Sequence, residues 1–137
     1  MPMALDSNVL SALWSTEPSA ARVWQELRDS RARTGLVICA PVYAELCAHP
    51  TASREWVDNF LVETSIAIDF SLDEMVWRKT ADAFGAYAER RRRSGAQTPK
   101  RLLADFLIAS HALLRADGLF TLDQSRYQSA FPQLRLI

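Results

Sequence analysis

Leu36-Val37-Ile38-Cys39-Ala40, running straight into Pro41-Val42-Tyr43-Ala44-Glu45-Leu46-Cys47-Ala48-His49-Pro50, is the stretch that decides the fold. Its first five residues are continuously apolar and rich in β-branched types. A strand reads this way when both of its faces are covered. Pro41 then suits the first turn of a helix, where its missing N–H costs nothing, and Pro50 stops that helix. A buried strand feeding a helix directly is half of a parallel βαβ unit.

Working outward, the same alternation recurs. Met3-Ala4-Leu5-Asp6 is a short apolar run ending in an acid, and Ser7-Asn8 offers an N-cap to the helix Val9–Ser15. Pro18-Ser19 restarts a helix to about Arg33, with Ala20, Val23, Trp24 and Leu27 at helical spacing, and Gly35 ends it. Residues 53–63 form an amphipathic helix and 66–70 (IAIDF) a third buried run; Ser71 is expected to cap a long helix over 72–93. Thr98-Pro99 opens a helix to about Arg115. Asp117-Gly118 turns into Leu119-Phe120-Thr121-Leu122-Asp123, a short helix follows, and Leu134-Arg135-Leu136-Ile137 is a last strand. The reading is α/β: a single three-layer α/β/α domain over residues 1–137 with a parallel sheet.

Composition agrees. The chain has 137 residues, 49% apolar and 23% charged, enough for one ordinary core without staples. That excludes a disordered tail, a fibre and a disulfide mini-protein. Cys39 and Cys47 lie in apolar stretches and read as free, packed thiols. Without an apolar run of membrane length or a signal-like N-terminus, the expected location is the cytoplasm. The formal net charge of zero hides an asymmetry. Residues 78–101 hold eight basic residues (Arg78, Lys79, Arg90, Arg91, Arg92, Arg93, Lys100, Arg101) against two acids, Asp82 and Glu89.

Four acids sit where apolar elements end, the place ligands occupy in an open parallel sheet. Asp6 follows the first strand and Asp123 the fourth. Glu45 lies one turn into the helix after the second strand. Asp105 interrupts Leu102-Leu103-Ala104-Asp105-Phe106-Leu107-Ile108-Ala109, where an ionised carboxylate is costly unless paired. Two like charges about 4 Å apart repel by ~4 kcal/mol at an effective dielectric near 20, so a cluster of four needs protons or a cation. An all-oxygen set favours Mg²⁺ or Mn²⁺ over Zn²⁺. His49 and His111 are isolated and read as ordinary helix residues.

Asp6-Ser7-Asn8, Glu45, Asp105 within ADFLIASHA (104–112) and Thr121-Leu122-Asp123, in this order, resemble a PIN-domain ribonuclease. The chain length, short first helix and terminal LRLI are similar to the VapC-type toxin branch of type II toxin–antitoxin systems. The resemblance implies five parallel strands in the order 3-2-1-4-5. It implies that Asp6, Asp105 and Asp123 ligate Mg²⁺ or Mn²⁺, that Glu45 holds or activates water, and that Asn8 and Thr121 orient the cluster. It implies an RNA substrate, a cognate VapB-type antitoxin and a homodimer. Family members often carry another acid soon after the fourth motif. Here Gln124-Ser125-Arg126-Tyr127 follows Asp123, so one metal site is expected.

A divalent ion acidifies bound water and neutralises charge building on a phosphate, so no Ser or Cys nucleophile is needed. Arg90, Arg91, Arg92, Arg93, Lys100 and Arg101 lead into the helix carrying Asp105 and are the candidate RNA contacts; capping of a helix dipole is their blander reading. Asp→Asn changes in the cluster are expected to leave the metal-free fold as stable or more so. Two rivals share the architecture. A phospho-receiver would need paired acids after the first strand, with Asp69 as acceptor, and a haloacid-dehalogenase-like phosphatase would need Asp where Asn8 stands. A PIN-fold binding module without catalysis is the third alternative.

Overall fold

Strands β1 (Met3–Leu5), β2 (Leu36–Cys39), β3 (Ile66–Asp69) and β4 (Leu119–Phe120) form one parallel sheet in the order β3-β2-β1-β4. The computed structural model describes residues 1–137; the side chain of Ala96 lies outside the described set. Every residue of β1 and β2 is buried. Because successive side chains point to opposite faces, that pattern requires cover on both sides. Helices α1 (Ser7–Trp14), α2 (Ala20–Arg33), α3 (Ala40–Cys47), α4 (Arg54–Glu63), α5 (Glu74–Ser94), α6 (Leu103–Arg115) and the short α7 (Ser125–Gln128) supply it. The most deeply sunk is α6, buried without a break from Asp105 to Ala112.

The implied fifth strand is reduced to a fragment. Leu134–Ile137 makes one parallel bridge, Leu119 to Leu136, on the free side of β4. The Leu119 amide donates to the Arg135 carbonyl at 2.9 Å, and the Ile137 amide to the Leu119 carbonyl at 3.0 Å. With only two residues in β4 there is no length for a full ladder, so four strands are formed rather than five. Gly118 permits this approach: a Cβ there would lie 2.9 Å from the Arg135 carbonyl oxygen.

Two helix starts also differ from expectation. Asp73, not Ser71, caps α5, its side chain accepting from the Val76 amide at 3.2 Å. Helix α6 begins at Leu103 rather than at Thr98-Pro99, because residues 98–102 are drawn off as a loop fastened to Tyr87. Among the described residues no helix is long and apolar enough to cross a membrane.

Candidate active site

Asp6 ends β1 and begins α1. Its backbone is extended and its Oδ1 accepts from the Ser7 amide at 2.8 Å, so the acid itself caps the helix, one residue before the expected Ser7-Asn8. Its Oδ2 accepts from the Thr121 hydroxyl at 2.8 Å and from the Tyr127 hydroxyl at 2.7 Å. Three donors offset the cost of burying this carboxylate, which is 1% exposed.

Thr121 uses its whole hydrogen-bonding capacity here. Its one O–H goes to Asp6, and its oxygen accepts from Asn8 Nδ2 at 3.3 Å and from the Asp123 amide at 3.1 Å. Asn8 Oδ1 in turn accepts from the Leu122 amide at 3.1 Å. The start of α1 is thereby laced to the segment after β4. The Thr121 amide is held by the Ile137 carbonyl at 3.2 Å, so the terminal fragment supports the same corner.

Glu45 reaches the corner from α3, half-buried, with Oε1 accepting from Ser7 Oγ at 3.2 Å. Burial, then the charge of Asp6, pushes its carboxyl above the usual range; the Ser7 bond and Arg126 pull the other way. Asp105 is the third residue of α6, and its Oδ2 accepts from the Leu102 amide at 3.2 Å. Burial also raises its carboxyl, opposed by the Leu102 amide and Arg126. Asp123 differs: a 2.7 Å bond from Ser125 Oγ holds its carboxyl below the usual value, and Arg126 adds to this.

Arg126, from α7, is the cation among these acids. It lies 3.3 Å from Asp123 Oδ2 and 3.8 Å from Asp105 Oδ1. Burial works against its charge, and Asp105, Tyr127, Asp6 and Asp123 outweigh that effect. Among the described residues no three ligand-type side chains stand close enough to share an ion as they are placed. The donor chemistry nevertheless suits a hard divalent cation: four carboxylates from four segments, two of them with protons made harder to lose. Softer donors are kept out. Burial pushes the Cys39 thiol up to about 12, with Glu45 and Asp6 adding to it against backbone hydrogen bonds. His111 contacts Asp69 at 3.0 Å and His49 contacts Thr51 at 3.0 Å, both outside the acid corner.

The basic segment divides in two. Arg92 and Arg93 pair with Glu89 at 2.6 and 3.3 Å on the exposed side of α5. Arg91 donates to the Tyr87 hydroxyl at 3.4 Å, Tyr87 donates to the Pro99 carbonyl at 3.2 Å, and the Arg101 amide also bonds to Tyr87. Lys100 is exposed, whereas Arg90 and Arg101 are half-buried. The sequence reading passed over Arg126 and Tyr127. The signal for Arg126 was its place three residues after Asp123, the spacing at which helical side chains meet. Tyr127 offered only an aromatic hydroxyl, which needs a partner when buried.

The family model described as "PIN domain" matches residues 3–131. No curated protein sequence matches the chain. Among solved structures, VapBC-1 from nontypeable Haemophilus influenzae is similar at a TM-score of 0.67 and 21% identity, covering 100% of this chain and 97% of that one. VapBC2 from Rickettsia felis, bound to a DNA fragment from its promoter, is similar at 0.69 and 21%, covering 100% and 98%.

Proposed function

The chain belongs to the PIN-domain family, and from that premise we propose that it is a metal-dependent endoribonuclease of the toxin branch, restrained by a cognate VapB-type antitoxin. The observation that carries this reading is the gathering of Asp6, Glu45, Asp105 and Asp123, from four separate segments, around one corner at the strand ends. The similar solved structures are VapBC assemblies, which supports the antitoxin and leaves a second copy of this chain as a further proposed partner.

Asp6, Asp105 and Asp123 would hold Mg²⁺ or Mn²⁺, which supplies an acidified water and neutralises charge on the phosphate. The rest falls to the chain. Thr121 and Tyr127 fix the Asp6 carboxylate, and Asn8 fixes Thr121. Glu45, with a raised carboxyl and one oxygen held by Ser7, is suited to take a proton from the attacking water. The acids repel a polyanion, so the basic segment (Arg90, Arg91, Arg92, Arg93, Lys100 and Arg101) would draw the RNA strand in.

The test is cleavage of total RNA by the purified chain in Mg²⁺ or Mn²⁺ and in EDTA, with ends mapped after brief expression of wild type and Asp105→Asn. Cleavage should need metal and vanish in the variant. Unchanged cleavage by Asp105→Asn would sink the assignment.

A further inference from the structure

Next to the acids lies a cleft of about 40 Å³, lined by Tyr87, Arg90, Thr98, Arg101, Arg126 and Ser129 among others. That is room for about three waters. Three arginines line it, one each from α5, the loop before α6 and α7. Among the described residues neither Arg90 nor Arg101 has a carboxylate within ion-pair distance, whereas Arg92 and Arg93 share Glu89. Arg126 already faces Asp105 and Asp123, whereas Arg90 and Arg101 bring two further positive charges to a cleft that Pro99, Phe106 and Ala130 also line, so an anion entering it would relieve their repulsion. Tyr87 braces the arrangement, because its hydroxyl ties Arg91 and the Pro99–Arg101 loop together.

Arg126 belongs to both neighbourhoods. It lines the cationic cleft, and its two terminal nitrogens face Asp123 and Asp105. We propose that this cleft is a phosphate-binding subsite for the RNA strand, and that Arg126 is shared between it and the acids. While the acids lack a cation, Asp105 and Asp123 hold the guanidinium. When a divalent cation takes over their charge, the guanidinium is freed for the phosphate. Metal and RNA then assist each other's binding by the same factor, as linkage requires. The proposal rests on the RNA-cleaving reading above.

The experiment measures anisotropy of a 5′-fluorescein single-stranded RNA against salt, in EDTA and in Ca²⁺, with the probe checked for intactness on a gel. Free Mn²⁺ is titrated separately by electron paramagnetic resonance without RNA. Wild type should bind RNA more tightly in Ca²⁺ than in EDTA. Arg90→Gln and Arg101→Gln should each lower the salt slope by ~0.7, the value for one single-strand phosphate contact, and Arg90→Gln should leave Mn²⁺ affinity unchanged. Arg126→Gln should bind Mn²⁺ more tightly than wild type and lose the Ca²⁺ enhancement of RNA binding. Arg126→Lys keeps the positive charge if the Gln variant does not fold, and should lose most of that enhancement because it lacks the two-armed fork. Wild-type slopes in the Arg90 and Arg101 variants overturn the subsite. Unaltered Mn²⁺ affinity and Ca²⁺ enhancement in the folded Arg126 variants overturn the sharing. Folded wild type that neither binds nor cuts RNA overturns the RNA-cleaving reading itself.

Discussion

Asp6 is acceptor-only, and two hydroxyls donate to its Oδ2. Asp6→Asn therefore sets an amide donor against two donors, which removes the expectation that every Asp→Asn change in the cluster spares the metal-free fold. Tyr127→Phe isolates one of these bonds. It should cost about 1.5–3 kcal/mol in urea unfolding, the range for a hydrogen bond to a charged group, and about 10-fold or more in the proposed metal-dependent activity. Unchanged values would mean that Tyr127 only fills space. Glu45 gives a pH-dependent case. Its folded carboxyl lies above the ordinary 4.5, so its contribution to stability is fully present below 4.5 and is lost as pH rises through the raised value. Glu45→Gln has nothing to ionise. In EDTA it should therefore gain stability over wild type between pH 4 and pH 7, read from urea midpoints at both; a constant difference would contradict this sign. The acids were legible in the sequence because charged residues stood out where apolar elements ended. Tyr127 was not, since a buried tyrosine whose hydroxyl holds a carboxylate looks the same in sequence as one that merely packs.

The helix that carries Asp105 has no side-chain cap of its own, because Leu102 stands at the N-cap position and is exposed. Leu102→Ser should raise stability by about 1 kcal/mol by supplying the missing acceptor, measurable by chemical denaturation. A fall would mean that Leu102 is held by contacts its exposure does not reveal. Gly118 makes the opposite case. Gly118→Ala would drive a methyl against the Arg135 carbonyl and lift the terminal fragment from β4, at a cost of about 1–3 kcal/mol. That fragment also holds the Thr121 amide, so activity should drop with stability. Element order, the parallel sheet and all seven helices were readable because apolar runs and 3.6-residue spacing alternate cleanly. The start of α6 was not. Pro99 is an ordinary helix opener locally, and the Tyr87 hydroxyl that diverts residues 98–102 comes from another element.

Across the molecule, burial is uneven. Helix α6 is enclosed over eight consecutive residues, whereas α2 buries only Val23, Leu27 and Ser30. Opening free energies follow such differences. Hydrogen–deuterium exchange should leave α6, β1 and β2 protected longest and release α2 much earlier; equal protection of α2 and α6 would contradict it. The charge distribution is uneven too, with the surplus of arginine beside the acid corner inside a chain of zero net charge. Sequence could locate that surplus but not divide it. Pairing with Glu89 and enclosure beside Arg126 depend on which side of α5 each arginine faces and on what lies opposite.

The Cys39 thiol has a bearing on oxidative chemistry. With its proton held to about pH 12, chiefly by burial, the thiolate is scarce at pH 7. Peroxide and alkylating reagents act through the thiolate, and the side chain is only 2% exposed. The sulfur beneath the carboxylates is therefore chemically silent, and oxidants that reach the corner find no reactive thiol at Cys39.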